Sequence, residues 1–417
     1  MSRLRRRAMP RIHESGTSYD SLGCKDRRAQ LFWSYLTDEV LCLTRSEDKP
    51  RWGQPPWRID FEAEARPLPE EIDVAIIGGG FTGLAVAAWL RRLAPEKTVA
   101  VLEAQRLGAG ASGRSGGLAL GDTAAGDLPG LGDVLGGFTD ILRELEVDCD
   151  QRLPGVWEVG HSNASPDSPI EWRDSGALRI VAEVPGGTVD PGKLVSGLAR
   201  AAHRHGAIIA EHSPVREITS NDPVELAVPG RVLRARQVLF ATNAQSLELS
   251  DLVGWAQPKF TLAVATRPLR EDELEALGLR DRKAFYTVDL PYLWGCVLPD
   301  HKVVWGSGLV HVADWRELDS IDVSAGRPAE LLASLERRVR GLHPVLRDVK
   351  FCHRWGGPIL IAESWQPVFA RHPRCPQALI LGAYSGHGVA LSVYLARWAA
   401  EALLGQRELP DWGKLQR

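Results

Sequence analysis

The chain has 417 residues and a formal net charge of −3, and its composition is 44% hydrophobic and 25% charged. These values are typical of a globular protein with one large or two medium domains. The slightly acidic balance gives no general attraction to nucleic-acid phosphates or to anionic membranes. We therefore expect no nucleic-acid partner.

The cysteines and the basic N-terminus bear on the compartment. Six cysteines are scattered without a C-x-x-C pair, so we expect reduced thiols, no disulfide framework and no metal site. The start MSRLRRRAMPR is basic, but no apolar segment of the kind found in export signals follows it. No run of 18 apolar residues occurs either, so we expect a cytoplasmic protein with no membrane span.

The first 70 residues differ from the rest of the chain in polarity and in the regularity of their hydrophobic pattern. They are polar and irregular, apart from a helix-like stretch from Ala29 to Leu43, and we expect an N-terminal extension over 1–70. The prolines and acids of RPLPEEID then mark a boundary. Beyond it, DVAIIGGG, FTGLAVAAWLRRLA and KTVAVLEA follow one another as strand and tight turn, helix, and second strand. Together these segments predict a βαβ unit.

Later elements alternate between two patterns. Asp190 is a candidate N-cap for an amphipathic helix, and the apolar runs AIIAE and RARQVLFATNAQS after that helix are buried strands. Four segments between Ala256 and Gly308 have an antiparallel pattern. An amphipathic helix, PAELLASLERRVRGLHP, follows, and ALILGAYSGHGVALSVYLARWAAEALLG then gives a strand, a glycine turn and a long apolar helix. The sequence predicts a parallel-sheet domain interrupted by an antiparallel-sheet domain, with the C-terminus returning to the first.

The βαβ unit carries a dinucleotide-binding motif. Gly78 permits the tight turn, Gly80 lets the backbone approach a pyrophosphate, and Gly83 lets helix and strand pack closely. The diphosphate would sit at the positive end of the helix. Glu103, 20 residues beyond Gly83, ends the second strand, where its carboxylate would accept both ribose hydroxyls of an adenosine. The unit therefore predicts that an adenine dinucleotide binds.

A glycine- and hydroxyl-rich loop, LGAGASGRSGG, follows that acid at residues 107–117. It would run back along the pyrophosphate toward the ring system of the cofactor. Ser112 and Arg114 would then contact phosphate or ribityl oxygens, while Gly116 and Gly117 would allow the backbone to lie beside a flat ring. The alternative is a flexible surface loop.

Five ordered segments resemble the D-amino-acid-oxidase superfamily, in particular its glycine oxidases, sarcosine oxidases and γ-glutamylputrescine oxidoreductases: AIIGGGFTGLAVA, VLEA, LGAGASGRSGG, LFATNA and ALILGAYSGHGVALS. The resemblance covers roughly residues 70–405. It implies an α/β fold (α+β overall), in which a glutathione-reductase-type FAD-binding Rossmann domain carries an inserted antiparallel-sheet substrate domain. The FAD-binding domain would be discontinuous, from 71–160, 187–250 and 351–417, and the substrate domain would comprise 161–186 and 251–350.

The resemblance also implies a set of site residues. FAD would be held by Gly78, Gly80, Phe81, Thr82, Gly83, Glu103, Ala104, Ser112, Arg114, Ser115, Gly116, Gly117, Val215, Thr242, Asn243, Gly386, His387, Gly388 and Val389. The N–H groups of the turn 386–388 would face the O2 atom of the flavin. They would stabilise the negative charge of the reduced flavin there and so raise the reduction potential of the flavin. Catalytic candidates are Tyr292, Trp294, Trp355, Tyr384 and His387, with Tyr286 and Trp305 as further pocket candidates. His387 is equally a plain helix-cap residue, and about half of the rings are expected in the core.

Two departures from the superfamily refine the prediction. Neither Cys352 nor Cys375 lies where covalent members carry their flavin-linking cysteine, so we expect non-covalent FAD. After Trp355-Gly356-Gly357, amino-acid-oxidising members usually have an arginine that binds the substrate carboxylate, but this chain has Pro358 and Ile359. Arg354 precedes the segment, and strand alternation would aim it elsewhere. The substrate is therefore expected to be a small amine without an α-carboxylate.

The resulting hypothesis is an FAD-dependent amine or amino-acid oxidase or dehydrogenase. It would oxidise a C–N bond by hydride transfer to flavin N5 and leave an imine that hydrolyses, with O2 or another electron acceptor. Lys259, Lys283 and Lys302 are equal candidates for a lysine that activates O2. Two alternatives keep the fold: a flavin domain that acts in tRNA modification, and a non-catalytic FAD-binding subunit of a larger dehydrogenase.

Overall fold

A computed structural model describes residues 50–415 except 63, 65, 163 and 164. The predicted helix from Ala29 to Leu43 and most of the N-terminal extension lie outside the described residues, as do Cys24 and Cys42. The described residues among 50–70 form no helix or strand, apart from an isolated antiparallel bridge between Gly53 and Trp355. None of the helices in the described part of the chain is both long enough and apolar enough to cross a membrane.

The described strands, in chain order, are β1 Glu71–Ile77, β2 Val99–Leu102, β3 Leu118–Leu120, β4 Val156–Gly160, β5 Trp172–Arg173, β6 Ala177–Val184, β7 Gly186–Thr188, β8 Ile208–Ala210, β9 Glu217–Asn221, β10 Val224–Val228, β11 Arg231–Phe240, β12 Ala256–Thr266, β13 Ala284–Thr287, β14 Trp294–Val297, β15 Val303–His311, β16 Phe351–Ala362, β17 Val368–His372 and β18 Cys375–Gly382. The α-helices are α1 Phe81–Leu93, α2 Val134–Glu144, α3 Pro191–Arg204, α4 Glu271–Ala276, α5 Gly326–Leu342 and α6 Gly388–Leu403.

The first sheet confirms the predicted βαβ unit. Its strand order is β17-β18-β11-β1-β2-β8, and the β9–β10 hairpin continues from β11. The pairs β1–β2, β1–β11, β11–β18 and β2–β8 are parallel, whereas β17 pairs with β18 antiparallel. β1 and β2 contain the continuous apolar and buried sequences VAII and VAVL, as expected for strands of a parallel sheet that is covered on both faces.

The helices on this sheet begin where the sequence predicts. The Asp190 side chain accepts a hydrogen bond from the N–H of Lys193 at 2.9 Å, which caps α3. Helix α1 is buried over its first ten residues because it packs between α3, α6 and the sheet. Its face toward the sheet is closed by Leu84, Ala88 and other apolar side chains with no exposed area.

The second sheet is mainly antiparallel, in the order β16-β12-β15-β14-β13-β4-β6-β5, with β13 and β4 as a parallel pair. The four predicted antiparallel segments correspond to β12, β13, β14 and β15. Trp172, Phe285 and Trp305 form a fully buried aromatic cluster beneath it, with ring centroids 4.8–5.2 Å apart. Each such ring buries a large apolar area, so this cluster is a main source of stability for the sheet.

Two strands from segments expected in the FAD-binding domain belong to the second, antiparallel sheet. The resemblance places β4 and β16 in the FAD-binding segments 71–160 and 351–417, but they pair within the antiparallel sheet. β16 pairs with β12 from Phe351–Thr266 to Ala362–Ala256, almost 100 residues away in the chain. Such long-range pairing leaves no local signal in the sequence. The remaining boundaries stay a prediction.

The topology brings four loops to one edge of the first sheet. β1, β2, β11 and β18 are parallel, so their carboxyl ends lie side by side. They are followed by Gly78, Glu103, the segment 241–243 and the turn 383–388, respectively. This edge is where open α/β sheets bind ligands.

Candidate active site

One cavity of about 1090 Å³ extends from this edge to the antiparallel sheet. Its volume is at the upper end of the range for small-molecule and cofactor sites. At one end it is lined by the four loops. At the other end it is lined by side chains of the antiparallel sheet and its connections, among them Tyr292, Trp294, Ser307, Leu309, Pro358 and Ile359.

The glycine turn after β1 leaves no room for side chains. Gly78 has a φ of +112°, which disfavours any residue with a Cβ. A Cβ on Gly83 would lie 2.0 Å from the carbonyl oxygen of Gly78, and a Cβ on Gly80 would lie 2.7 Å from Ser112 Oγ. The turn, the first turn of α1 and the later loop are therefore packed at backbone distance.

Glu103 is held in place by backbone donors. Its Oε2 accepts a hydrogen bond from the N–H of Gly79 at 2.8 Å, and its Oε1 accepts one from the N–H of Gln105 at 2.9 Å. Burial raises the pKa of this carboxyl group, and nearby Glu211 adds to the rise. Glu103 and Val215 both line the cavity, as expected for the residues predicted to hold the adenosine.

The loop 107–117 forms one side of the cavity. Ser112 accepts a hydrogen bond from the N–H of Phe81 at 2.9 Å, which supplies the first turn of α1 with a side-chain acceptor. Trp57 donates to the Gly113 carbonyl at 2.7 Å. The loop is thus bound both to α1 and to the chain segment before β1, and the alternative of a flexible surface loop is not what the structure shows.

Arg114 lines the cavity, but its guanidinium donates to main-chain carbonyls. Nε donates to Ala109 at 3.2 Å, and Nη1 donates to Trp52, Gly53 and Gly356 at 3.0–3.3 Å. The guanidinium also lies 5.3 Å from the ring centroid of Trp52, and burial lowers the pKa of Arg114 to about 10. This arginine therefore ties the 107–117 loop to the segment before β1 and to β16.

The C-terminal turn is hydrogen-bonded to helix α1 and to the second sheet. Tyr384 and Thr82 share a hydroxyl–hydroxyl hydrogen bond of 2.8 Å, which connects the turn to α1. Ser385 Oγ accepts from the N–H of Ala362 at 3.1 Å, which connects the turn to β16. Ser385 and Ala383 have positive φ values, 51° and 53°, so the backbone here is held in an uncommon conformation. Burial raises the pKa of Tyr384, and its hydroxyl is neutral near pH 7.

Three buried polar atoms around the cavity have no hydrogen-bond partner among the described residues: Thr242 Oγ1, His387 Nδ1 and Ser392 Oγ. An unpaired buried polar atom is costly, so it marks a place where a ligand atom fits. Helices α1 and α6 also begin at the cavity, and neither Gly80 nor His387 provides a side-chain cap. Two positive helix ends and three unpaired polar atoms fit the diphosphate and ring edge of FAD.

At the far end, Trp294 fills a slot between two glycines. A Cβ on Gly306 would lie 2.0 Å from its Cε2 and Cζ2 atoms, and a Cβ on Gly116 would lie 2.1 Å from its Cζ3 atom. Gly116 therefore lies beside the indole of Trp294, and its expected position beside the ring system of the cofactor stays a prediction. Gly116 lines the cavity, and Gly306 precedes the cavity-lining Ser307. The slot between the two glycines therefore holds the Trp294 ring in the cavity wall.

The cavity brings together most of the predicted site residues. All nineteen proposed FAD-binding residues line it except Gly83 and Gly117, which lie against Gly78 O and Val189 O. Among the catalytic candidates Tyr292, Trp294, Tyr384 and His387 line it, whereas Trp355 is fully buried and donates to the Arg114 carbonyl at 3.1 Å.

The other candidate pocket rings and charged residues lie away from the lining. Trp305 belongs to the buried aromatic cluster, and Tyr286 donates to Glu158 at 2.6 Å. Arg354 pairs with Glu336 at 2.5 Å, in agreement with the alternation argument. Lys259 bonds His311, Lys283 bonds Glu183 and Lys302 bonds Asp300, and none of these three lysines lines the cavity.

Several lining residues were not predicted. Trp52 comes from the segment before β1, and Trp315, Arg316 and Glu248 come from connections outside the motifs. Trp315 donates to Glu248, and Arg316 pairs with the same carboxylate at 2.7 Å. A tryptophan in an otherwise polar extension was the one available signal for Trp52. The other three give no signal, since their position depends on the fold of distant segments.

Comparisons with known proteins agree with this geometry. The model of the FAD dependent oxidoreductase family (DAO) matches residues 73–402. Gamma-glutamylputrescine oxidoreductase of Escherichia coli (strain K12) is 28% identical over 386 residues, covering 81% of this chain and 85% of the relative. The probable oxidoreductase OrdL of Haemophilus influenzae (strain ATCC 51907 / DSM 11121 / KW20 / Rd) is 26% identical over 394 residues, covering 84% and 86%.

Solved structures share the fold. Glycine oxidase from Geobacillus kaustophilus superposes with a TM-score of 0.65 at 19% identity, covering 84% of this chain and 99% of its own. L-Amino acid deaminase from Proteus myxofaciens, in complex with anthranilate, gives a TM-score of 0.65 at 17% identity, covering 86% and 96%. These likenesses confirm the predicted fold class. The chain therefore belongs to the family of FAD dependent oxidoreductases.

Proposed function

We propose that this chain oxidises the C–N bond of a small amine, with FAD bound non-covalently along the cavity. The observation that carries the proposal is the continuity of the cavity, which joins the glycine turn and Glu103 to the aromatic wall of Tyr292 and Trp294. A substrate at that wall would lie next to the end of the dinucleotide site. The relative whose name includes an amine substrate, gamma-glutamylputrescine oxidoreductase, supports the same class.

The residues would divide the cofactor between them. Glu103 would accept the ribose hydroxyls, the N-terminus of α1 would bind the diphosphate, and the unpaired Thr242, His387 and Ser392 atoms would meet polar atoms of the cofactor. When bound, FAD accepts the two electrons of the reaction as a hydride at N5. Burial lowers the pKa of His387, so its imidazole is neutral near pH 7 and adds no positive charge to the turn 386–388.

The aromatic wall would orient the amine. Trp294 is fixed in its slot, and the phenol of Tyr292, whose pKa is raised above its ordinary value of about 10, is neutral near pH 7. The amine reacts as its free base: the C–H bond of R–CH2–NH2 gives up its electron pair with the hydrogen, leaving R–CH=NH2⁺. Water then adds to this cation and releases the aldehyde and ammonium. The wall supplies orientation and excludes bulk water from the reacting carbon.

The lining favours an amine over an α-amino acid. Pro358 and Ile359 occupy the position where amino-acid-oxidising members carry their arginine, and both line the cavity. Arg354 is paired with Glu336 and lies away from it. Arg114 is nearer, since a Cβ on Gly357 would lie 2.9 Å from its Cβ, but its Nε and Nη1 are bound to carbonyls.

The test is anaerobic flavin reduction across a panel of amines and α-amino acids. The panel contains primary amines, N-methylamines, γ-glutamylputrescine, glycine and larger α-amino acids. We expect amines to bleach the flavin fastest. Rapid reduction by α-amino acids, together with none by any amine, would refute the substrate class. Air is then admitted: fast reoxidation identifies O2 as acceptor, and slow reoxidation indicates another acceptor.

Non-covalent binding is tested separately by acid precipitation of the holoprotein. We expect the flavin in the supernatant, because none of the cysteines in the described residues lines the cavity. Cys296 is the nearest to it, donating to the Gly116 carbonyl at 3.4 Å, and burial raises the pKa of this thiol to about 12, so it is a poor nucleophile. Flavin that stays with the pellet would show a covalent link, and peptide mapping would then locate it.

A further inference from the structure

A partly exposed ion pair near the cavity mouth has no part in the proposed chemistry. Arg338 on α5 and Asp174, between β5 and β6, have side chains only 15% and 19% exposed. Nε and Nη2 of Arg338 donate to the same Asp174 oxygen, at 3.0 and 2.7 Å. A solvent-accessible pair of this kind adds little net stability by itself, because water screens the attraction between the two charges.

The remaining donors of Arg338 reach the cavity mouth. Nη2 donates to the Pro291 carbonyl at 2.7 Å and Nη1 to the Tyr292 carbonyl at 3.2 Å. Nη1 also lies 3.4 Å from Ser307 Oγ, and that hydroxyl donates in turn to the Tyr292 carbonyl. One guanidinium thus connects Asp174, the connection between β13 and β14, and a cavity-lining serine on β15.

The connection that Arg338 holds, the mouth segment Val288–Tyr292, has little packing of its own. The side chains of Val288, Leu290 and Tyr292 are 51%, 84% and 45% exposed. Its ends are fixed by backbone and Thr287 hydrogen bonds, and Asp289 accepts from the N–H of His161 at 2.8 Å. The carbonyls of Pro291 and Tyr292 are bonded through Arg338 and Ser307. Segments with few buried apolar contacts open easily unless hydrogen bonds hold them.

We propose that Arg338 is a positioning residue for substrate binding: paired with Asp174, it clasps the mouth segment and so sets the Tyr292 ring against the cavity. Trp294, two residues further on, is fixed by its glycine slot and does not depend on this clasp. The inference rests on the proposed function in one respect, that Tyr292 contacts the substrate amine. A lysine could keep the ion pair but could not reach two carbonyls and a carboxylate in a fixed fork.

The first test follows hydrogen exchange of the holoprotein in Arg338→Ala and uses no substrate. We expect the hydrogen-bonded amides of Thr287, Val288 and Leu293, at the two ends of the mouth segment, to exchange about tenfold faster, while β14 keeps its protection. Arg337→Ala, at the adjacent exposed position of α5, is the matched control and should leave both regions unchanged. Unchanged exchange at Thr287, Val288 and Leu293 in the Arg338 variant overturns the clasp, whatever substrate the enzyme takes.

The second test measures steady-state kinetics with the best amine of the panel. Arg338→Ala should raise KM about tenfold with kcat within about twofold, because Tyr292 acts in binding. Arg338→Lys should recover part of the KM effect. If the alanine variant does not fold because Asp174 is left without its partner, the double variant D174N/R338Q replaces it. Faster exchange with an unchanged KM would overturn the positioning role, and if no amine is turned over the exchange result alone decides on the clasp.

Discussion

The two ends of the cavity are built in different ways. The cofactor end consists of short loops that directly follow four parallel strands, and its contacts are largely made by backbone atoms and glycines. The substrate end consists of single side chains from strands that are far apart in the chain, each fixed by a separate device: a glycine slot for Trp294 and an arginine for the segment that carries Tyr292. The glycine turn after β1 in the first end tolerates almost no added atoms, whereas the second end is adjustable one side chain at a time.

The largest effect is expected at the cofactor end, in Gly83→Ala. The new Cβ would lie 2.0 Å from the Gly78 carbonyl oxygen, so strand and helix would have to separate. We expect a loss of about 3 kcal/mol or more in the free energy of unfolding and failure to retain FAD. Thermal unfolding and the flavin content per protein measure both.

Gly341→Ala is the matched control for this change. Gly341 lies inside α5, where a Cβ would meet open space and φ is not positive, so alanine should leave stability unchanged or raise it by about 0.5–1 kcal/mol. If Gly83→Ala were as stable as this control and bound FAD normally, the close contact between Gly83 and the Gly78 carbonyl would not be required for the structure of the cofactor end.

At the substrate end, Gly306→Ala should alter turnover without removing the cofactor. Its Cβ would meet the Trp294 indole at 2.0 Å and push it from the slot. We expect kcat/KM for the best amine to fall about tenfold, or about 1.4 kcal/mol, with flavin content unchanged. In a Trp294→Ala background the same glycine change should cost little, because the ring it displaces is absent. Additive losses in the double variant would contradict the slot.

A third change tests charge at the cofactor end. The carboxylate of Glu103 accepts two backbone hydrogen bonds and would accept the ribose hydroxyls, so protonation removes acceptor capacity. Since the pKa of Glu103 is raised, FAD affinity should fall with decreasing pH at a higher pH than for an exposed glutamate. Glu103→Gln should weaken FAD binding about tenfold at neutral pH and remove this step. A step that persists in Glu103→Gln would belong to another group.

The smallest effect is expected for Tyr384→Phe. It removes the hydroxyl bonded to Thr82 and leaves the ring, so the free energy of unfolding should fall by about 1 kcal/mol. Thr82→Val and the double variant complete a cycle in which the two losses should not add. Tyr384 is also a catalytic candidate. If Tyr384→Phe had normal stability but turned over substrate about two orders of magnitude more slowly, the hydroxyl would act in catalysis and not mainly in holding the turn to α1.

The sequence predicted the cofactor end in most of its detail. Gly78, Gly80 and Gly83 follow a strand and open a helix, as their spacing indicated, and Glu103 ends the next parallel strand. These positions are local: a strand, a turn and a helix within some 30 residues fix their relative geometry. The loop 107–117 was also placed beside the same turn. Its arginine donates to three segments of main chain, and its expected contact with phosphate or ribityl oxygens stays a prediction.

The substrate end was predicted less completely. The rings of Tyr292 and Trp294 do line the cavity, but Trp305 and Trp355, drawn from the same strand pattern, are fully buried. Alternation along a strand gives two faces and does not say which one meets the cavity. That choice depends on the register of β12 with β15 and β16, and on the domain to which β16 belongs.

By itself, therefore, the sequence determined the βαβ unit, the dinucleotide motif and the order of the two kinds of sheet, because hydrophobic period and glycine spacing act over short distances. Tertiary structure decided what surrounds the substrate end: Trp52 from the segment before β1, the slot for Trp294 and the reach of Arg338 to the mouth segment. These contacts join residues tens to hundreds of positions apart. Only the packing of the completed sheets brings them within a few ångströms.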